Sequence, residues 1–148
     1  MPTFHEGVQR MIRGEVPPAP VGELIGFRLV AAMPGEAIVE LDAGPQHANP
    51  MGTLHGGILC DIADAAMGIA YACALAEGES FTTLELKINF LRPVWKTKLR
   101  AIGRVVKQGA TVGLVECDVL DGQEKLVARA SSTCMTLRGD QARGRSFS

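Results

Sequence analysis

The sequence predicts an α+β domain in which a mostly antiparallel sheet of about six strands packs against one long central helix. Three observations carry this prediction. A proline-free stretch from Leu54 to about Leu75 is rich in Ala, Ile, Leu and Met. Residues Thr83–Leu91 alternate strictly between apolar and polar side chains, and turn signals separate the other strand-like runs. The 148 residues fit one domain of ordinary size, so 1–148 is predicted to be a single unit.

The N-terminal region is predicted to hold a short helix, a linker and a β-hairpin. Residues 3–13 repeat apolar side chains at helical spacing, and Val16–Pro20 contains three prolines, which favour an extended linker. Two strand-like runs follow at Leu24–Met33 and Ala37–Asp42. The Pro-Gly pair between them is typical of a turn, so we expect the two strands to form a hairpin.

The long helix is preceded by a loop over residues 43–53, which hold Gly, Pro and Asn without periodicity. The helix then begins near Leu54, carries Gly56 and Gly57 at its start, and is ended by Glu77-Gly78. Seven of its residues are alanine. Small side chains would let the helix lie close to a curved sheet, although alanine is also simply a good helix former.

Four more strands are predicted after this helix, separated by Arg-Pro, Gln-Gly and Asp-Gly pairs. The Asp-Gly pair is a strong hairpin signal. The predicted strands are Thr83–Leu91, Lys98–Val106, Val112–Leu120 and Lys125–Leu137. Residues 139–148, which include Arg143 and Arg145, are predicted to be a frayed tail.

Composition and charge exclude several classes of function. The formal net charge is −1 and no basic run stands out, so nucleic-acid binding has no electrostatic support. No apolar run approaches the roughly 18 residues of a membrane span, and the N-terminus lacks a signal-peptide core. A cytoplasmic location is therefore expected. The four cysteines are widely spaced, and no spacing suits a metal site. They are predicted to be reduced, buried thiols: Cys60, Cys73, Cys117 and Cys134.

The segment from Asn49 to Asp64 combines a glycine-rich helix start with acidic side chains. At the junction, Gly56 and Gly57 leave backbone N–H groups at the positive end of the helix dipole, where a developing oxyanion or a carbonyl oxygen would bind. The alternative is that the two glycines only allow close packing of the helix start. Both readings remain open from the residues alone.

Asp61 and Asp64 lie three positions apart and are expected to share one face of this otherwise apolar helix. A carboxylate in apolar surroundings is costly unless it is paired or used, so at least one of them is predicted to be functional. The alternative is a solvated face. By default, His55 at the helix start is a cap and Asn49 is a turn residue.

The chain resembles the hotdog thioesterases, most closely the phenylacetate-degradation and 4-hydroxybenzoyl-CoA type with its catalytic acid on the central helix. The resemblance covers residues 20–138. It is carried by His55-Gly-Gly, by Asn49 six residues before the histidine, by Asp64 nine residues after it, and by the following Thr-x-Glu-Leu-x-Ile-x-Phe-x-x-Pro strand.

The resemblance implies a role for each matching residue. Asp64 corresponds to the acid that activates water as general base or attacks as nucleophile, and Gly56 to the glycine whose N–H polarises the thioester carbonyl. Asn49 corresponds to a polar loop residue beside the thioester, and His55 to a histidine that orients the loop. Thr83 falls where some relatives carry a Ser or Thr contributed by the neighbouring subunit.

Three residues, Gly57, Thr83 and Asp61, are assigned to substrate binding. At Gly68 the chain departs from relatives that carry a polar Thr, which leaves their acyl-group contacts without a counterpart here. The implied substrate is an acyl-CoA with an aromatic or medium-chain acyl group, and no cofactor or metal is implied.

Hotdog thioesterases also resemble one another in assembly, which implies a homodimer with active sites at its interface and dimers paired into a homotetramer. Basic contacts for the CoA phosphates are needed. The candidates lie near predicted strand ends, although each is as readily a solvated surface charge: Arg92, Arg104, Lys107 and Arg138.

Two alternative functions use the same fold. A hydratase or dehydratase of acyl thioesters would carry an Asp five residues before its His, but that position is Pro50, and no Phe-Pro pair follows any histidine. A non-catalytic acyl-CoA-binding module would hold its ligand without releasing thiol. The roughly 20 residues before the first strand are too few for a DNA-binding helix-turn-helix.

Overall fold

The computed structural model describes residues 3–145, which form three helices and six strands. The helices are α1 (Phe4–Ile12), α2 (Pro20–Ile25) and α3 (Gly56–Ala72). The strands are β1 (Phe27–Met33), β2 (Glu36–Ala43), β3 (Ser80–Phe90), β4 (Thr97–Gln108), β5 (Val112–Leu120) and β6 (Leu126–Leu137). Short 3-10 turns lie at Pro45–His47 and Gly139–Ala142, and positions 146–148 of the predicted tail lie outside the described residues.

The six strands form one sheet in the order β1-β2-β4-β5-β6-β3, and every neighbouring pair is antiparallel. The predicted architecture, one long central helix and a six-stranded sheet, is confirmed. The order makes β1 and β3 the two edge strands of the described sheet. As β3 follows α3 directly, the long helix leads straight to an edge.

The helix α3 lies directly on the sheet, and small residues on both sides make this approach possible. Ala63, Ala66 and Ala70 are fully buried on the helix. On β4, a side chain in place of Gly103 would put its Cβ 2.5 Å from the backbone oxygen of Ala66. Since protein interiors are close-packed, neither surface has room for a larger residue at this crossing.

The first predicted strand starts three residues later than expected, because Pro20–Ile25 forms α2. Pro20 occupies the first turn of this helix, where its missing N–H costs nothing. Gly26 ends the helix in the left-handed conformation, with φ of 99°, and its N–H donates to the oxygen of Gly22. The predicted strand was wrong here because Gly26, which ends α2, lies within the apolar run that begins at Leu24.

The long helix is shorter at both ends than the predicted range of Leu54 to Leu75. The Leu54 N–H donates to the oxygen of Val94, which ties that residue to a neighbouring loop instead of to the helix. Beyond Ala72, the N–H of Ala74 and of Leu75 bond three residues back instead of four. The α-helix therefore ends in a tighter turn.

The Asp-Gly hairpin is confirmed, but its turn is wider than two residues. The Asp121 N–H donates to the oxygen of Lys125, and Glu124 takes the left-handed conformation with φ of 63°. The Asp121 carboxylate accepts the N–H groups of Gln123 and Lys125. The side chain of Asp121 therefore organises a five-residue loop.

Three of the four cysteines are buried and all are free thiols. Burial raises the pKa of Cys73 to about 11 and that of Cys117 to about 12, so both are protonated at neutral pH. Cys60 is only partly buried, unlike the prediction for it. Within residues 3–145, no helix is both long and apolar enough to cross a membrane, and no group of His, Cys, Asp or Glu could hold a metal ion.

Candidate active site

The first turn of α3 leaves one backbone donor free. His55 is the N-cap residue, and its Nδ1 accepts the Gly57 N–H at 2.9 Å. The backbone oxygen of His55 accepts the Ile58 N–H at 3.0 Å. The Gly56 N–H has no hydrogen-bond acceptor among residues 3–145. The default prediction of His55 as a cap is thus confirmed, and the Gly57 N–H, used by this cap, is not available to a ligand.

A side chain at position 56 would require the exposed ring of Phe90 to move. A Cβ there would lie 2.8 Å from Cζ of Phe90, whose ring packs against the Gly56 backbone. Gly56 and Phe90 line a groove of about 370 Å³ that Asn49 and Arg92 also border. The free N–H of Gly56 therefore belongs to a surface groove that a basic side chain adjoins.

The side chain of Asn49 is engaged in its own loop. Its Oδ1 accepts the N–H groups of Met51 at 3.0 Å and Thr53 at 3.2 Å, and its Nδ2 donates to Oγ1 of Thr53 at 2.8 Å. This is the turn role expected by default. One Nδ2 hydrogen is left over for the groove, since an amide nitrogen carries two.

A second histidine, His47, positions the loop, and sequence reasoning missed it. Its Nε2 donates to the oxygen of Ile25 at 2.7 Å, and its Nδ1 accepts the Gly44 N–H at 3.2 Å. These partners require the neutral ring with its proton on Nε2. The backbone oxygen of His47 accepts the His55 N–H at 2.9 Å. No sequence pattern marks this role, because Ile25 and His55 come from segments on either side of this turn.

Asp64 lies on α3 beside the edge strand, where Oγ1 of Thr83 donates to its Oδ1 at 3.2 Å. The alternation in the sequence placed Thr83 on the face opposite Leu86, and this prediction is wrong. The pairing of β3 with β6 shifts by one residue between Thr83 and Glu85, which makes Leu84 a β-bulge. The extra residue turns Thr83 to the same side as Leu86, toward the helix.

The expectation that the apolar helix buries its acids is wrong for Asp64, which is exposed in the single chain. The reason is its position over β3, where the sheet ends. Asp61 is half-buried and shares a recess of about 360 Å³ with Asp64, so the two do lie on one face. Partial burial, and then the Asp64 carboxylate, raise the pKa of Asp61 above its ordinary value.

An apolar cavity of about 250 Å³ opens beside Asp64. Among residues 3–145, Asp64 and Thr83 are the only polar side chains that line it. The other walls come from the two N-terminal helices, from β1, β2 and β3, and from the middle of α3. Their contributions include Met11, Val21, Phe27, Ile69 and Phe81. A carboxylate at one end of an apolar cavity suits an apolar ligand with one reactive polar group.

Three of the four basic candidates for the CoA phosphates have distinct surroundings. Arg138 is held by Glu79 at 2.6 Å and by the oxygen of Ala110, and Arg104 pairs with Asp118 at 3.3 Å. Arg92 borders the groove of Gly56. Of these three, only Arg92 lies beside a predicted site residue.

Residues 51–128 match the thioesterase superfamily. The chain belongs to this superfamily. It is 30% identical to human acyl-coenzyme A thioesterase 13 over 107 residues, which are 71% of this chain and 76% of that protein. It is 31% identical to the acyl-coenzyme A thioesterase PaaI of Escherichia coli over 105 residues, 70% of this chain and 73% of the relative. The predicted class of enzyme, a thioester hydrolase, is confirmed.

The fold is also that of solved members. The crystal structure of a phenylacetic acid degradation-related protein of Ralstonia eutropha superposes with a TM-score of 0.78 at 32% identity. The match covers 86% of this chain and 98% of that one. The predicted hotdog fold and the phenylacetate-degradation type of thioesterase are therefore confirmed.

Proposed function

We propose that the protein hydrolyses the thioester of an aromatic or medium-chain acyl-CoA to the free acid and CoA. Asp64 activates water or attacks the carbonyl carbon, and the Gly56 N–H polarises the carbonyl oxygen. The observation that carries this proposal is the Asp64 carboxylate, held by Thr83 at 3.2 Å, at the polar end of an apolar cavity. Within this superfamily, such a cavity suits the acyl group.

Asp64 and Gly56 of one chain cannot act on the same carbonyl. They are eight positions apart on α3, so at the usual helical rise they are separated by about 12 Å along the axis. A reacting carbonyl needs both groups at about 3 Å. We therefore propose that each active site combines Asp64 of one chain with Gly56 of a second copy.

The edge strand β3 is the surface that would receive this second copy. It has only β6 as a neighbour in the described sheet, so its other side offers unpaired backbone groups. Leu84 and Phe90 on β3 are 54% and 55% exposed in the single chain. Pairing two β3 strands antiparallel around a two-fold axis would continue the sheet and cover these side chains. The proposed assembly is a homodimer, with dimers paired into a homotetramer.

The proposed chemistry requires only this chain's residues and water. The Gly56 N–H stabilises negative charge on the carbonyl oxygen as the C–O bond to the nucleophile forms. If Asp64 is the base, it accepts a proton from the attacking water, the C–S bond breaks, and the CoA thiolate takes up the proton. If Asp64 is the nucleophile, its carboxylate forms a C–O bond to the carbonyl carbon, the C–S bond breaks and CoA leaves as the thiolate. Water then hydrolyses the acyl-aspartyl anhydride, which frees the acid and Asp64, and the proton released goes to the thiolate. Trapping of that anhydride at Asp64 distinguishes the two routes.

The remaining predicted residues have supporting parts in this proposal. His55 and Asn49 hold the loop that presents Gly56, and the free Nδ2 hydrogen of Asn49 faces the same groove. Asp61 lines the recess beside Asp64, on the substrate side. Arg92, next to the Gly56 groove, is the residue best placed to contact a CoA phosphate.

The cavity supports an apolar acyl group of moderate size. Its volume of about 250 Å³ exceeds that of an apolar protein cavity of about 150 Å³ that holds a benzene ring. It has no polar side chain at the end away from Asp64. A hydroxyl group at the far end of the acyl group would therefore lose its hydrogen bonds on binding.

A thiol-release assay on purified protein tests the proposal, using phenylacetyl-, 4-hydroxybenzoyl-, hexanoyl- and palmitoyl-CoA. We expect turnover of phenylacetyl- and hexanoyl-CoA and lower kcat/KM for 4-hydroxybenzoyl- and palmitoyl-CoA. Calorimetry with the same compounds runs in parallel. Tight binding of all four without thiol release would contradict hydrolysis and favour a binding module.

A further inference from the structure

The acyl cavity has two distinct ends. Thr83 meets Asp64 at one place on its wall, and Phe81 meets Gly68 at another, which we take as the two ends. From Asp64 to Gly68 is one helical turn, about 6 Å along α3, and from Thr83 to Phe81 is two strand residues, about 7 Å along β3. The two pairs of residues are therefore separated by similar distances along α3 and along β3. An acyl group whose carbonyl lies at Asp64 would end against Gly68 and Phe81.

The far end is shaped by a close contact between Gly68 and Phe81. A Cβ at position 68 would lie 3.1 Å from Cζ and 3.2 Å from Cε2 of the Phe81 ring. The ring cannot easily retreat, because the rings of Phe4 and Tyr71 pack against it with centroids at 6.1 Å and 6.0 Å. A methyl group at position 68 would therefore shorten the cavity, both by its own volume and by pressing on the ring.

The N-terminal helices form the facing wall. Met11 of α1 and Val21 of α2 line the cavity opposite α3. The helix α1 is anchored, because Val8 is fully buried and Nε2 of Gln9 donates to the oxygen of Ala32 at 2.8 Å. Both helices precede residues 51–128, the part that matches the superfamily. This wall is therefore supplied by a segment outside the matched region.

We propose that Gly68 and Met11 together set the size of the acyl group that the enzyme accepts, with Gly68 giving depth at the end of the cavity and Met11 limiting its width. The inference rests on the proposed function, since it assumes that the cavity holds the acyl group. It assigns selectivity to two residues that do not touch the thioester.

The test compares wild type with Gly68→Ala and Met11→Ala across acetyl-, butyryl-, hexanoyl-, octanoyl- and phenylacetyl-CoA. We expect Gly68→Ala to lower kcat/KM for octanoyl- and phenylacetyl-CoA by about tenfold or more, while butyryl-CoA changes by less than about threefold. Met11→Ala should shift the preference the other way, toward octanoyl-CoA. Ile12→Ala is the matched control, because Ile12 lies on the same helix, is also half-buried, and does not line this cavity.

Affinities of non-hydrolysable thioether analogues of the same CoA esters are measured alongside. If wild type hydrolyses none of the esters, the proposed function fails, and the analogue affinities still report whether the two variants shift size preference. An unchanged ranking in both variants overturns the inference while leaving hydrolysis intact. If Gly68→Ala does not fold, the opposite shift in Met11→Ala decides the matter by itself.

Discussion

The two halves of α3 differ in how many of their groups are left exposed. In the half from Gly56 to Asp64, one backbone N–H is free and a carboxylate is exposed. In the half from Ala66 to Ala72, the larger side chains Met67 and Tyr71 are fully buried, and the backbone of Ala66 touches the sheet at Gly103. The first half is anchored as well, by the fully buried Ile62 and Ala63, but its outer side presents unsatisfied groups to a ligand and a second copy.

We therefore expect substitution of the exposed groups in the first half to remove activity without unfolding the protein. Substitutions that disturb the packing of the second half against the sheet should lower stability without removing a catalytic group. The largest effect is expected for Asp64→Asn, which should lower kcat by about 10³-fold because the amide neither accepts a proton nor attacks. Asp61→Asn, one turn earlier, is the matched control and should change kcat by less than about threefold. Steady-state thiol release with hexanoyl-CoA measures both. A larger loss for Asp61→Asn would mean that the catalytic acid is misassigned.

The free N–H of Gly56 can be tested with a matched pair of double variants. Gly56→Pro with Phe90→Ala removes the N–H and makes room for the ring, while Gly56→Ala with Phe90→Ala keeps the N–H. Proline suits the first helical position, and His55, with φ of −65° and ψ of 130°, already has the backbone that a following proline requires.

The proline variant should have a kcat about 10²–10³ lower than that of its alanine counterpart, the usual loss for one oxyanion donor. Thiol release gives kcat, and circular dichroism checks that both variants keep the helix. Equal rates in two folded variants would remove the Gly56 N–H from the mechanism.

The buried half of α3 is probed from the sheet by Gly103→Ala. Its new methyl group would meet the backbone of Ala66 and Met67 at 2.5–2.8 Å, so the free energy of unfolding should fall by about 3 kcal/mol. Gly122→Ala is the control, because its Cβ meets only the side-chain oxygen of Thr97 within 3 Å. Urea unfolding measures both. A loss no greater than that of the control would show that α3 can move away from β4.

The smallest effect concerns pH and Asp61. Because the pKa of Asp61 is raised in the folded chain, its favourable contribution to stability is complete below the ordinary value of 3.8 and is lost as pH rises through the folded value. Asp61→Asn should therefore gain stability relative to wild type as pH increases from about 3.8 to neutrality. Urea midpoints between these limits provide the measurement, and a constant difference across that range would contradict the raised pKa.

The sequence was most informative where structure is local. The proline-free run predicted α3, and alternation together with turn signals predicted the strands. It was least informative where a single extra residue or a distant partner decides the outcome. The β-bulge at Leu84 lies inside a run that alternates without fault, so nothing local shows that Thr83 turns toward Asp64.

Distant partners explain the other differences. The role of His47 depends on Ile25 and His55, which the folded chain brings to it. The exposure of Asp64 depends on β3 being the last strand of the sheet, a property of strand order and not of composition. The apolar composition of α3 therefore predicted correctly that most of the helix is buried. It was wrong at Asp64, the position that matters most for the proposed chemistry.

The most direct test of the account is complementation between two inactive variants. Asp64→Asn is mixed in equal amounts with the Gly56→Pro, Phe90→Ala variant, and subunits are exchanged to equilibrium before thiol release is measured. If each site uses Asp64 of one chain and Gly56 of another, a mixed dimer holds one intact site. The Gly56 of that site keeps its own Phe90, so activity should return to about a quarter of the wild-type level. Activity that stays at the level of the separate variants would contradict a site shared between two chains.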